Sequence, residues 1–192
     1  MRTYVRCVLR TRQLLTAGLA VAAIAGAAVA PGAASAAICA GPSAEPGETS
    51  GAVLTRALLC TINAERHRHG LQGVRQNARL QAAARRHSRD MVARRYFSHT
   101  TPEGATLSQR VWRTGYLRSA RSWTVGENIA WGAGSLGSAR AVVRAWMHSP
   151  GHRRVLLWAT FDQVGIGVAR GAPRRLGRPA VTYTADFGVT RR

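Results

Sequence analysis

"AVTYTADFGV", residues 180–189, alternates without a break. Val181, Tyr183, Ala185, Phe187 and Val189 fall on one side, and Thr182, Thr184 and Asp186 on the other. A sustained period of two predicts a β-strand with one apolar face. Just upstream, "VGIGV" (164–168) alternates apolar residues with glycine, and the basic loop "ARGAPRRLGRP" joins the two segments. Both read as strands, paired antiparallel.

Everything before them has the other period. Val53, Leu54, Ala57, Leu58, Thr61 and Ile62 share a helical face that ends at Gly70. A second helix starts from an N-cap at Asn77 and presents Leu80, Ala83, Ala84, His87 and Met91 as its buried stripe. "TLSQRVWRTG" places Thr106 and Gln109 in capping-box spacing and closes at Gly115. "SARAVVRAWMH" is a fourth amphipathic helix, expected to end at Ser149, where Pro150 and Gly151 form a sharp stop that delivers His152. Helices first and antiparallel strands last predict an α+β class, helices packed on a small sheet.

The chain has 192 residues, enough for one domain with a real core. Its first stretch reads as a signal peptide over residues 1–36. Arg2, Arg6, Arg10 and Arg12 form a basic start, "LLTAGLAVAAIAGAAVA" an apolar run, and "ASA" (34–36) a cleavage site. That run is short and alanine-rich, a weak transmembrane helix. Residues 37–52, rich in Pro, Gly, Ser and Ala, read as a linker, and residues 53–192 as the domain. Export makes the protein secreted, with no stable transmembrane anchor after cleavage.

Formal charge is +20, and loss of the four signal arginines leaves +16; there is no lysine. Such an excess attracts anionic partners, here envelope lipid or a wall polymer. A GC-rich codon bias accounts for the missing lysine but not for the few acids. No nucleic-acid motif accompanies the arginines, and export argues against that partner. Cys7 leaves with the signal, so Cys39 and Cys60 remain as an even pair in an exported chain. They are either a disulfide tying the tail to the first helix, the favoured reading, or two free thiols.

The polar residues worth weighing are His87, His99, Glu127, His148, Ser149 and His152. No short metal, nucleophile or phosphate-loop motif joins them. His87 lies on an apolar stripe and reads as a satisfied core histidine, and His148 as an exposed one at a helix end. Trp146 and Trp131 read as core, although Trp131 follows "GENIA" closely enough to line a cleft rim.

The order of segments ties them together. "INAERHRHGL", "ARLQAAARRHSRDM", "YFSHTTPEG", "GENIAWG", "AWMHSPGHRRVLL", "FDQVGIGVA" and "YTADFG" occur in that sequence. Together they resemble the CAP superfamily of cysteine-rich secretory, antigen 5 and pathogenesis-related 1 proteins (the SCP domain), nearest its compact bacterial branch, over roughly Val53 to Val189. The resemblance implies a three-layer α-β-α sandwich with a central cleft. It also implies that His99, Glu127 and His152 meet in that cleft. The family's fourth member, an acid shortly after the helix tryptophan, falls at Ser149 and is absent, so Ser149 is expected on the rim with Trp131.

A carboxylate beside two imidazoles can orient one ring and favour its charged form. Neutral His99 and His152 with Glu127 also make a candidate zinc set with an open water position, short of a closed site and therefore weak. The same residues equally make a buried hydrogen-bond network. Three functions stay open. One is a binding module for an envelope lipid or anionic wall polymer. Another is an enzyme, either a peptidoglycan-cleaving, lytic-transglycosylase-like one with Glu127 as acid/base, or a zinc-dependent hydrolase. The third is an inert scaffold.

Overall fold

The computed structural model describes Cys39, residues 41–47 and residues 49–192. The expected signal peptide lies outside the described residues, and the linker is described only in part. Elements follow in the order α1 (Gly51–Arg68), β1 (Arg75–Gln76), α2 (Ala78–Arg94), α3 (Leu107–Arg113), β2 (Ser122–Ala133), a 3-10 turn (Gly134–Gly137), α4 (Ala139–Met147), α5 (Pro150–Leu156), β3 (Gln163–Arg170) and β4 (Ala180–Arg191).

The class is α+β, and the four-stranded sheet has the order β1-β3-β4-β2. β4 is central and antiparallel to both neighbours, with Phe187 opposite Val164 on β3 and Gly126 on β2. The sheet is mixed rather than purely antiparallel, because the two-residue β1 runs parallel to Gln163–Val164.

Strand periodicity assigns the layers. Val181, Tyr183, Ala185, Phe187 and Val189 of β4 join one core with Leu54, Leu58 and Ile62 of α1, Val142 and Trp146 of α4 and Leu156 of α5. The opposite, polar face of β4 is buried too. Thr184 accepts a hydrogen bond from Ser88 of α2 at 2.8 Å. The sheet thus lies between α2–α3 and α1–α4–α5.

The glycines of "VGIGV" set the spacing of the first layer. A Cβ on Gly165 would stand 2.0 Å from the α2 backbone at Leu80 and Gln81, and one on Gly167 2.2 Å from that at Ala84. The helix therefore rests directly on β3, without a side chain between.

Caps follow the sequence closely. Asn77 accepts from the backbone N–H groups of Arg79 and Leu80, and Thr106 with Gln109 completes the capping box of α3. Cys39 and Cys60 are joined as a disulfide, with their Cα atoms 5.5 Å apart. Arg66, fully buried, was not singled out by its sequence context. Its guanidinium donates to the carbonyls of Gln72, Leu156, Trp158 and Phe161, locking the end of α5 to α1 without any carboxylate.

Candidate functional site

β2 is the edge strand next to β4, and its alternation sends neighbours to opposite layers. Gly126 faces Phe161, whose ring atoms stand 3.0 Å from where a Cβ would be, so this position admits no side chain without a shift. Asn128 points the same way, and its Nδ2 donates to the His152 carbonyl at 3.0 Å. Glu127, between them, turns to the α2–α3 layer.

There its carboxylate is held from three sides. Arg110 of α3 donates from Nη2 to Oε2 at 2.5 Å, His99 Nδ1 lies 2.7 Å from Oε1, and His87 Nε2 lies 3.8 Å from Oε2. The Glu127 side chain is 2% exposed and that of His99 54%, so the acid is internal and the imidazole reaches water. Burial by itself would raise the Glu127 carboxyl. The His99 hydrogen bond and the Arg110 and His87 charges outweigh it, and the group lies below its ordinary value.

Arg110 also positions the loop that carries His99. Its Nη1 donates to the His99 carbonyl at 2.7 Å and to that of Ala105 at 3.2 Å. That loop leaves α2 through Arg95, whose φ of 56° makes a left-handed cap. The cap redirects the chain from the helix toward the edge of β2. A buried arginine bridging two segments leaves no mark in a sequence with arginine on every helix, and Arg110 was missed for that reason.

His152 approaches from the other layer. The Pro150–Gly151 pair is not a stop followed by a turn. The fourth helix already ends at Met147, and Pro150 opens α5, a position where its missing N–H costs nothing. His152 therefore sits in the first turn of a helix. Ser149 is the N-cap residue but makes no capping hydrogen bond; its Oγ meets His152 Nδ1 at 2.9 Å. The His99 and His152 rings face each other with centroids 6.4 Å apart and planes at 40°. Partial burial, and then the His99 charge, lower the His152 pKa. Both rings have Nδ1 occupied and Nε2 free of any hydrogen bond within the described protein.

Of the other weighed residues, His87 backs Glu127 from within α2 and the rest lie apart. His87 is buried in α2, with Nε2 against the Ser98 carbonyl at 3.0 Å, and burial lowers its pKa. His148 is exposed at the end of α4, with Nδ1 2.7 Å from the Arg144 carbonyl. Trp146 is buried and donates from Nε1 to the Ile129 carbonyl, fixing α4 to β2. Trp131, two residues beyond Ile129, packs with Ala133, Ala172, Ala180 and Leu176 under the Arg174 guanidinium.

Asp186, which nothing in the sequence placed near the site, is the β4 residue directly opposite Glu127. It is fully buried, and neither carboxyl oxygen has a hydrogen-bond donor among the described residues. Burial, and then the Glu127 charge, raise it well above its ordinary value.

For a metal, the set is incomplete. Both Glu127 oxygens are engaged by Arg110 and His99, which leaves the two imidazole Nε2 atoms as the groups without a hydrogen bond among the described residues. Among the described residues no three His, Cys, Asp or Glu side chains gather as a metal would need. The residues present do not form a zinc set.

Residues 59–187 match the cysteine-rich secretory protein (CAP) family, and the chain belongs to it. Among curated relatives, the Bacillus subtilis (strain 168) "Uncharacterized protein YkwD" is 35% identical over 105 residues, 55% of this chain and 38% of that protein. The "Uncharacterized membrane protein YlbC" of the same strain is 31% identical over 115 residues, 60% of this chain and 31% of that protein. The chain thus spans about a third of the length of these relatives. Among solved structures, an extracellular protein containing an SCP domain from Bacillus anthracis str. Ames superposes with a TM-score of 0.56 at 27% identity, covering 76% of this chain and 45% of that one. An outer surface protein from Borrelia burgdorferi shares the fold, with a TM-score of 0.54 at 23% identity over 70% of this chain and 90% of that one.

Proposed function

We propose that this is an exported CAP-domain binding module, and that its His99–Glu127–His152 cleft holds the polar part of a cell-envelope ligand, a lipid or an anionic wall polymer. The observation that carries this is the pairing of the two imidazoles, centroids 6.4 Å apart, each with Nδ1 tied back to the protein and Nε2 without a hydrogen bond among the described residues. Such a pair offers two directed hydrogen-bonding groups to one small polar or anionic group. Export agrees with the Cys39–Cys60 disulfide, since disulfides persist in oxidising compartments. It agrees also with the extracellular SCP-domain protein of similar structure. Among the described residues no helix is long and apolar enough to cross a membrane.

Glycan cleavage needs Glu127 to give up and recover a proton, which favours a raised carboxyl. Here His99 and Arg110 hold it ionised and occupy both oxygens. That favours binding over acid/base chemistry. The test is titration of the protein with vesicles of envelope lipid and, separately, with purified wall polymer. His99→Ala and His152→Ala should each weaken the cleft ligand about tenfold, the loss of one hydrogen bond to a charged group. Unchanged binding by both variants, or release of soluble fragments from peptidoglycan that Glu127→Gln abolishes, would overturn the reading.

A further inference from the structure

The sheet has a second open edge. β1 covers β3 only at Gln163 and Val164, so the rest of β3 has no strand beyond it. Along this edge, between α1 and α2, runs a cleft of about 730 Å³. It lies on the side of the sheet away from β2 and the His–Glu cleft.

Its lining is basic without relief. Arg56 comes from α1, Arg85 and Arg89 from α2, and Arg170 from the end of β3, with Gln76 and Gln81 between them and no carboxylate among the described lining residues. Arg170 is pinned by the carbonyls of Pro46 and Thr49, at 2.8 Å each. Arg56, Arg85 and Arg89 make no ion pair within the described protein; its arginine–carboxylate pairs belong to Arg68, Arg75, Arg94 and Arg110.

The contrast with a neighbouring cleft is informative. The one between α2 and α3 also holds four arginines, Arg86, Arg94, Arg110 and Arg113, but there Asp90 and Glu103 take up Arg94, and Glu127 takes up Arg110. Codon bias scatters arginine over both clefts. It does not explain why only one of them lacks acids among its described lining residues. Arg85 and Arg89 are moreover an i,i+4 like-charge pair, which weakens a helix unless something neutralises it. They stand just over one turn apart, about 6 Å along the axis, so a linear polyanion meets them in succession.

We propose that this groove binds an extended linear polyanion of linked phosphate groups, its phosphates held by Arg56, Arg85 and Arg89. A cleft recessed between two helices suits a chain better than a flat bilayer. Guanidinium groups match phosphate oxygens with paired N–H donors. This site shares with the proposed function only the location in the envelope; the His–Glu cleft plays no part in it.

The test uses long-chain inorganic polyphosphate as the probe, with orthophosphate and anionic phosphatidylglycerol vesicles as separate arms. Binding of polyphosphate should weaken steeply with salt. The triple variant Arg56→Gln, Arg85→Gln, Arg89→Gln should weaken it at least tenfold at about 0.15 M salt. It should also flatten the slope of log K against log salt by about 2, at roughly 0.7 per neutralised phosphate for a single-stranded chain. The triple Arg144→Gln, Arg153→Gln, Arg154→Gln removes the same charge from exposed positions on α4 and α5 and should change affinity less than twofold. His99→Ala should leave polyphosphate binding intact, which separates this outcome from failure of the cleft reading. Unchanged far-ultraviolet dichroism and melting would show that both triples fold. Equal losses in the two triples would reduce the groove to net charge and overturn the proposal. So would the absence of polyphosphate binding, or groove-dependent binding confined to vesicles, which would make the partner a membrane.

Discussion

Glu127 and Asp186 stand opposite each other on β2 and β4, two buried carboxyls with one committed arginine between the strands and α3. Burial opposes the charge on both; at Glu127 the His99 hydrogen bond and the Arg110 and His87 charges outweigh it and hold the carboxyl below its ordinary value, whereas burial and then the Glu127 charge raise Asp186 well above its own. The signs differ for stability. Glu127 contributes stability that is present above its unfolded pKa and lost as pH falls through its lowered folded value. Asp186 contributes stability that is present below its unfolded pKa, about 3.9, and lost as pH rises through its raised folded value. Asp186→Asn keeps the shape but has no proton to lose. Its stability relative to the native chain should therefore grow from about pH 4 to pH 8 in denaturant titrations. A gap that narrows over that range would mean Asp186 is ionised in the fold.

Arg110 joins three segments through one guanidinium, and its loss leaves the buried Oε2 of Glu127 with no partner nearer than His87 at 3.8 Å. Arg110→Gln should cost on the order of 3 kcal/mol, or a fall of roughly 6–12 °C in Tm for a domain of this size. Arg110→Gln with Glu127→Gln should recover part of that loss. The double-mutant cycle measures the coupling; strictly additive effects would show that the pair does not act as a unit.

Gly167 lets α2 rest on β3. A Cβ there meets backbone rather than a side chain that could move. Gly167→Ala should destabilise by about 3 kcal/mol or more through overpacking, measured by chemical denaturation. A near-neutral effect would contradict the close approach of helix and strand.

The charge on His99 lowers the pKa of His152 across the cleft, burial being the larger cause. His99→Ala should move the His152 titration upward in NMR, toward but not reaching its ordinary value. Glu127→Gln should move His87 further down, because the Glu127 charge is the main influence raising it. Unchanged titrations in either experiment would show that the groups do not sense each other.

The Cys39–Cys60 bridge closes a loop with a sequence separation of 21. Chain entropy gives about 3 kcal/mol for a loop of this size. Cys39→Ser with Cys60→Ser, or reduction, should lower Tm by roughly 6–12 °C. No change on reduction would place the pair outside the folding unit.

Much of the architecture is written in local pattern. Asn77, Thr106 and Gln109 announce helix starts, and the five alternating apolar residues of β4 announce a strand, because caps and periods depend only on near neighbours. β2 escaped that reading. Trp123, Val125, Glu127, Ile129 and Trp131 alternate with small or polar residues, so a buried acid interrupts the apolar period. β1 is two residues long and has no period at all. α5 was hidden by Pro150, which breaks a helix in its interior and opens one at its first position; only the chain's path tells which.

The site divides in the same way. By its own order of motifs, the sequence determined the family, the α+β class and the three residues to watch, His99, Glu127 and His152. The tertiary structure alone decided that Arg110 and Asp186 belong beside Glu127, and that Ser149 turns its hydroxyl to His152. It also decided that the unpaired arginines of α1 and α2 line one groove. The physical reason is that ion pairing, desolvation and burial depend on distances between segments far apart in the chain. Arginine and aspartate carry no local signature of the partner that will neutralise them.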